Sequence, residues 1–204
     1  MTAQAQPGAK VSGRAQAQCE RILCAAQKCF IEHGFHAAGM ALIAETAGMS
    51  PGLIYRYFPS KSAIILAIVE RQLERSRANI RSLHDAPDFK EAAFNAFLLW
   101  RDADPCQVNA ALFLEMSAEA SRDPMIAAGL RTCDQEIRHE LAAWLSASVA
   151  AGGKGLSAEL ARVRAITLQT FFEGLSVRAL REPDTPLEEL KAAIADFVDG
   201  LFST

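Results

Sequence analysis

The segment from Met40 to Phe58 narrows the choice of fold more than any other part of this chain. Two short helices can cross at close range only where the facing residues are small. Ala44 permits that approach, and Gly48 lets the backbone turn into the left-handed region without a side-chain clash. Ser50 then offers a hydroxyl to an orphan amide of the next helix. Pro51 follows at the first helical position, where a missing N–H costs nothing. Ile43, Ala47, Met49 and Ile54 are spaced to bury together against Phe30 and Phe58. The expected unit is a helix-turn-helix whose second helix opens at Ser50-Pro51.

The surface of that second helix has the chemistry to meet DNA. Arg56 carries a fork of donors suited to a guanine edge, and Tyr57 and Lys61 are placed to reach phosphates. Pro51, Gly52 and Leu53 offer apolar or backbone contact at the helix entrance, while Tyr55 either joins them or packs inward. Taken singly, Arg56 and Lys61 also read as solvated surface. Charge distribution agrees with DNA contact at one end. Residues 1–62 hold six bases (Lys10, Arg14, Arg21, Lys28, Arg56, Lys61) and three acids (Glu20, Glu32, Glu45), whereas residues 63–204 hold fifteen bases and twenty-one acids. A basic head on an acidic body results, although the net charge of the chain is −3.

The remaining apolar segments keep a helical period and show no strand alternation, so the fold class is all-α with about nine helices. Ala17–Glu32 reads as the first helix, with Gly34 closing it. Met40–Ala47 and Pro51–Phe58 form the crossed pair, and Lys61–Leu83 a long connector. Segments near 87–100, 105–120 and 124–149 follow, then a glycine-rich loop, Leu156–Leu180 capped by Ser157, and Leu187–Phe202. The domain reading is a flexible leader over 1–16, a DNA-binding head over 17–62 and a helical body over 63–204. No apolar run reaches the length of a membrane span, and no signal-peptide core precedes the head, so a cytoplasmic protein with no membrane partner is expected.

Catalytic and metal chemistry lack a motif. There is no nucleophile elbow, dinucleotide signature or Walker spacing, and Gly152-Gly153-Lys154-Gly155 reads as a helix-connecting loop. His33, His36, His84 and His139 form no zinc pattern, so no metal, cofactor or catalytic residue is expected. The cysteines (Cys19, Cys24, Cys29, Cys106, Cys133) read as buried thiols behaving as small hydrophobes, with Cys106 and Cys133 as the alternatives for sensing.

Arg21-Ile22-Leu23-Cys24-Ala25-Ala26, Phe30, Gly34-Phe35, Ile43 to Ser50 and Gly52 to Lys61 together resemble the tetracycline-repressor (TetR) family of bacterial transcriptional regulators. The likeness covers about residues 17–70. It implies a homodimeric repressor whose two heads enter consecutive major grooves of a palindromic operator in double-stranded DNA, released by a small-molecule effector. By that resemblance Tyr57 and Lys61 touch phosphates, Ser50 caps the recognition helix, and Pro51, Gly52, Tyr55 and Arg56 lie in or near the groove. Gly39-Met40 stands where the family often has a threonine that contacts a phosphate, which leaves only backbone amides there.

For the body, the expected effector is apolar or amphipathic. Its candidate contacts are Phe97, Trp100, Phe113, Met116, Cys133, Ile137 and Phe171, and ordinary helical core accounts for most of these equally. Gln107, Asn109, Glu115, Glu119, Gln135, His139, Gln169 and Glu173 are the polar positions able to orient a ligand or simply face water. Dimer-interface candidates are Val163, Ile166, Phe171, Gly174, Leu190, Ile194 and Phe197, because a glycine inside a helix suits close approach of another helix. Two alternatives stay open: a helical enzyme or ligand-binding protein retaining a DNA-binding head, and a constitutive DNA-binding scaffold without an effector.

Overall fold

The computed structural model of the chain describes residues 13–82, 88–102, 106 and 110–203. The expectations for Lys10, His84, Gln107, Asn109, the breaks at 85–87 and 104–105 and the first twelve residues of the leader lie outside these. Among the described residues there are nine α-helices and no strand. They are α1 (Gly13–Ala37), α2 (Met40–Thr46), α3 (Pro51–Tyr57), α4 (Lys61–Ser82), α5 (Phe89–Arg101), α6 (Ala110–Ala120), α7 (Pro124–Ser146), α8 (Ala158–Arg181) and α9 (Leu187–Phe202), with a 3-10 turn at Val149–Ala151 between α7 and α8.

Local signals set most of the boundaries. The first helix starts at Gly13, four residues before the expected Ala17. The alternating alanine and glutamine of 15–18 are strong helix formers and extend it backwards. At the other end Gly34 takes φ 73°, and the final turn folds Phe35 back to stack on Phe30 with ring centroids 4.3 Å apart. Ser50 accepts from the Leu53 amide at 3.3 Å and Ser157 from the Leu160 amide at 3.3 Å, as the cap reading of both requires. The turn between α2 and α3 passes through Gly48 at φ 61°.

Two cores form. The first joins Ile22, Phe30, Ile43, Ile54 and Ile64 of the first four helices to Leu112 and Met116 of α6 and Ile126 and Cys133 of α7. The second holds Phe89, Phe94 and Phe97 of α5 with Leu141, Trp144 and Leu145 of α7, Leu168 and Leu175 of α8, and Leu190, Ile194 and Val198 of α9. Ile137 packs against both, so α7 runs through the two cores. Gly129 brings α7 close to α4: a β-carbon there would lie 2.6 Å from Leu66 Cδ2.

Polar contacts tie the first four helices to the rest. Glu115 of α6 accepts from the Phe35 amide at 3.2 Å. Ser62 at the start of α4 donates to Asp123 at 3.1 Å, and Asp123 caps α7 by accepting from the Met125 amide at 2.8 Å. Further along α4, Arg77 bonds Glu136 at 2.5 Å and lies 3.5 Å from Glu140, both on α7. One cysteine expectation is corrected. Cys24 and Cys106 form a disulfide with Cα atoms 4.7 Å apart, while Cys19, Cys29 and Cys133 remain thiols. Their 82-residue separation left nothing local to reveal the pairing.

The glycine-rich loop closes one end of the second core. Trp144 Nε1 donates to the Gly152 carbonyl at 3.1 Å, and the Lys154 ammonium lies over both the Trp144 and Phe202 rings. A β-carbon at Gly153 would fall 2.2 Å from the Ala147 carbonyl oxygen. Backbone cannot yield cheaply, so Gly153→Ala is expected to destabilise the chain by about 1–3 kcal/mol in urea unfolding. Ala at Gly200, inside α9 with nothing within 4 Å, is the control and leaves the midpoint at or above that of wild type.

Asp123 supplies a pH signature. The Met125 amide first, and then the Ile126 amide and Ser62, hold its carboxyl below the ordinary carboxylate value. A depressed folded-state pKa stabilises the fold above the unfolded value near 3.9 and loses that effect as pH falls through the folded value. Asp123→Ala should therefore lower Tm at pH 7, with the gap from wild type closing in acid below about pH 4. A gap that stays constant down to pH 2 contradicts this role.

Candidate nucleic-acid interface and the body behind it

The helix α3 is two-faced. Ile54 is fully buried, Phe58 just beyond it is buried, and Leu53 and Tyr57 are half-buried. Pro51, Gly52, Tyr55 and Arg56 are exposed, with Ser50 at their head. Tyr55, left open between packing and contact, is 52% exposed and so does not serve the core. Arg56 makes no ion pair among the described residues, which leaves its guanidinium available. The inner face shows what holds this surface in place. Ala44 and Ala47 are buried where α2 meets its neighbours, and Met49 packs on the same core.

Lys61, expected to reach a phosphate or else to read as solvated surface, is tied to the chain at its head group. Its ammonium donates to the Phe35 carbonyl, and its side chain is half-buried. An ammonium has three protons, so this bond positions Lys61 without using up its donors. Tyr57 is likewise anchored, packing its ring on the first core. Phe35 is thus gripped twice, by Glu115 at its amide and by Lys61 at its carbonyl. Neither contact has a sequence signal, since both depend on the turn at Gly34. The helix α2 has Gly39 at its N-cap and no side-chain cap, as the missing threonine leads one to expect.

In the body the effector candidates divide between the cores. Met116 and Cys133 lie in the first, Phe97 in the second, and Ile137 between them. Phe113 is half-buried on α6. Trp100 meets Phe172 edge-on at 6.0 Å, Phe172 meets Phe171 at 5.8 Å, and Phe171 stacks on Phe197 at 3.9 Å. Phe172, absent from the candidates, is the centre of that chain of rings. Cys133 is buried, which pushes its thiol up to about 11 and leaves it a packing residue.

A polar group forms between α7 and α8. Asp134 and Glu173 both have carboxyls raised above the usual range, chiefly by burial, and Gln169 hydrogen-bonds each. The Gln169 Oε1 is itself buried without a partner. Gln169 and Glu173 were among the candidate orienting positions; Asp134 was not, because its place beside them depends on how α7 packs on α8. Gln135 and His139 instead line an open hollow with Glu136.

The dimer candidates also separate. On α8, Val163 and Ile166 are 57% and 54% exposed, and a β-carbon placed on Gly174, in register with them, would meet nothing within 4 Å. On α9, Leu190 and Ile194 are buried in the second core and offer a partner no surface. The apolar face of α9 turns towards α5, leaving Ala193 and Gly200 outward. Phe171 and Phe197 are half-buried against each other. No single helix among the described residues is long and apolar enough to cross a membrane.

Comparison with known proteins bears on this arrangement. The family model for bacterial regulatory proteins of the tetR family matches residues 22–68, and the model for the C-terminal part of BetI-type transcriptional repressors matches residues 98–203. The transcriptional regulator UidR of Escherichia coli K12 is 38% identical over 121 residues, spanning 57% of this chain and 59% of UidR. The transcriptional activator FasR of Mycolicibacterium smegmatis is 36% identical over 81 residues, 38% of this chain and 37% of FasR. Among solved structures, Salmonella enterica GusR superposes with a TM-score of 0.75 at 28% identity, over 95% of this chain and 99% of GusR. With both family models covering the head and the body in order, the chain belongs to the TetR family of transcriptional regulators.

Proposed function

We propose that this regulator is a dimeric repressor that binds a palindromic operator and is released by a small apolar or amphipathic effector. The observation that carries the DNA reading is the outward face of α3. Four residues with groove-compatible chemistry, Pro51, Gly52, Tyr55 and Arg56, share one exposed surface while Ile54 holds the helix in the core. Repression rather than activation is favoured by the BetI-type repressor model over the body, although the FasR relative is named an activator.

Dimerisation rests on α8. Val163, Ile166 and Gly174 lie along one face, and a partner helix would cover the two large apolar side chains and occupy the open space at the glycine. The effector reading rests on the body's rings from Trp100 to Phe197 and on the half-buried polar group of Asp134, Gln169 and Glu173. An apolar wall with a few convergent polar atoms is the usual make-up of a ligand site. A ligand held there shifts DNA binding only if it prefers one head arrangement over another. The route available is α7, joined to α4 through Ser62–Asp123 and Arg77–Glu136. Operation in the cytoplasm, without catalysis or a cofactor, completes the reading.

Replacing Arg56 by alanine is expected to cost about 1–3 kcal/mol of discrimination between operator and mismatched duplex, measured by competition binding. Equal weakening on every duplex assigns Arg56 to phosphate instead. Sedimentation should show a wild-type dimer at micromolar concentration and a folded monomer for Ile166→Glu. A wild-type monomer under those conditions overturns the dimer reading.

A further inference from the structure

We propose that Cys24 and Cys106 form a reversible redox tether that controls how freely the DNA-binding head moves on the body. Cys24 lies in the middle of α1, between residues that build the head's core, and Cys106 lies in the body between α5 and α6. The bond closes a covalent ring that contains α2, α3, α4 and α5. The recognition helix and the connector to the body are therefore both inside it. Without the bond, among the described residues α1 is held to α6 by side-chain packing on Leu112 and Met116, by the Phe35–Glu115 hydrogen bond and by the His36–Glu119 contact at 3.9 Å. These contacts can slide or open, whereas a disulfide cannot.

Two of the three remaining thiols are poorer participants. Cys29 is buried with its sulfur 3.2 Å from Thr46 Oγ1, and Cys133 is buried with a raised pKa. Cys24 and Cys106 are each half-buried, so a small reagent can reach them, and their Cα separation of 4.7 Å falls in the range a disulfide requires. The oxidant is a low-molecular-weight disulfide such as glutathione disulfide. One protein thiolate attacks it, breaking its S–S bond and releasing one reduced thiol. The second protein thiolate then displaces the attached glutathione as another thiol. Two protein thiols lose two protons and two electrons, and the oxidant gains them.

The proposal rests on the DNA-binding reading above, and its test separates the two. Wild-type protein is prepared reduced with dithiothreitol and oxidised with glutathione disulfide, and the Cys24–Cys106 link is confirmed by peptide mapping. Affinity is measured for a duplex selected from random sequence, with amide hydrogen exchange on the same samples. The expected result is slower exchange across α1 and α6 in the oxidised form and an affinity difference of about fivefold or more, the lower end of ordinary coupling between sites. Both differences vanish in Cys24→Ser and in Cys106→Ser, each compared with reduced wild type to confirm folding, and persist in Cys19→Ser. Failure to form the link, or equal affinity and equal exchange in both states, overturns the tether. Slower exchange in protein that binds no duplex in either state supports the tether as a restraint and overturns the DNA reading instead.

Discussion

The structure depends on a core that the head cannot close alone. Ile22, Phe30, Ile43 and Ile54 come from the first three helices, yet the same cluster takes in Leu112 and Met116 from α6 and Ile126 from α7. Burial of apolar side chains is the main favourable term in folding, so the outward pose of α3 is secured in part by residues from distant parts of the chain. A helix of seven residues is too short to persist in water without such packing. The groove-facing surface is thus a property of the whole chain.

This arrangement explains what could be read in advance. The crossed pair α2–α3 was legible because each of its requirements is local: Ala44 for close approach, Gly48 for a positive φ, and Ser50-Pro51 for a helix start. The all-helical fold and its order were legible from periodicity for the same reason. Signals that depend on two distant segments were not. The Cys24–Cys106 bond, the carbonyl that Lys61 finds at Phe35, and the neighbourhood of Asp134 all arise only after α1, α4, α7 and α8 have docked.

The dimer and effector candidates show a different limit. The helix α8 carries apolar residues around much of its circumference, and the single apolar face of α9 could serve the chain's own core or a partner, so spacing alone does not say which role each face has. The fold assigns Leu190 and Ile194 inward and leaves Val163 and Ile166 outside. The aromatic candidates are similarly ambiguous, since a ring that packs and a ring that greets a ligand share the same sequence pattern. Phe172 shows this well, being central among the rings while its sequence position beside Phe171 gives no ground for ranking one above the other.

Close contact between α7 and α4 at Gly129 has a mechanical consequence. The 23 residues of α7 make a rod about 34 Å long at the usual rise per residue, with Asp123 at one end and the Trp144 loop at the other. Rolling that rod about its axis would drive the side chains flanking Gly129 into Leu66, where the space is already filled. A slide much shorter than the helical pitch of about 5.4 Å keeps Leu66 over the glycine, whereas a longer one carries the next side chain on that face of α7 into it. Displacement at the far end of the body would then reach Ser62 as a push or pull rather than a twist, moving the foot of the connector lengthwise.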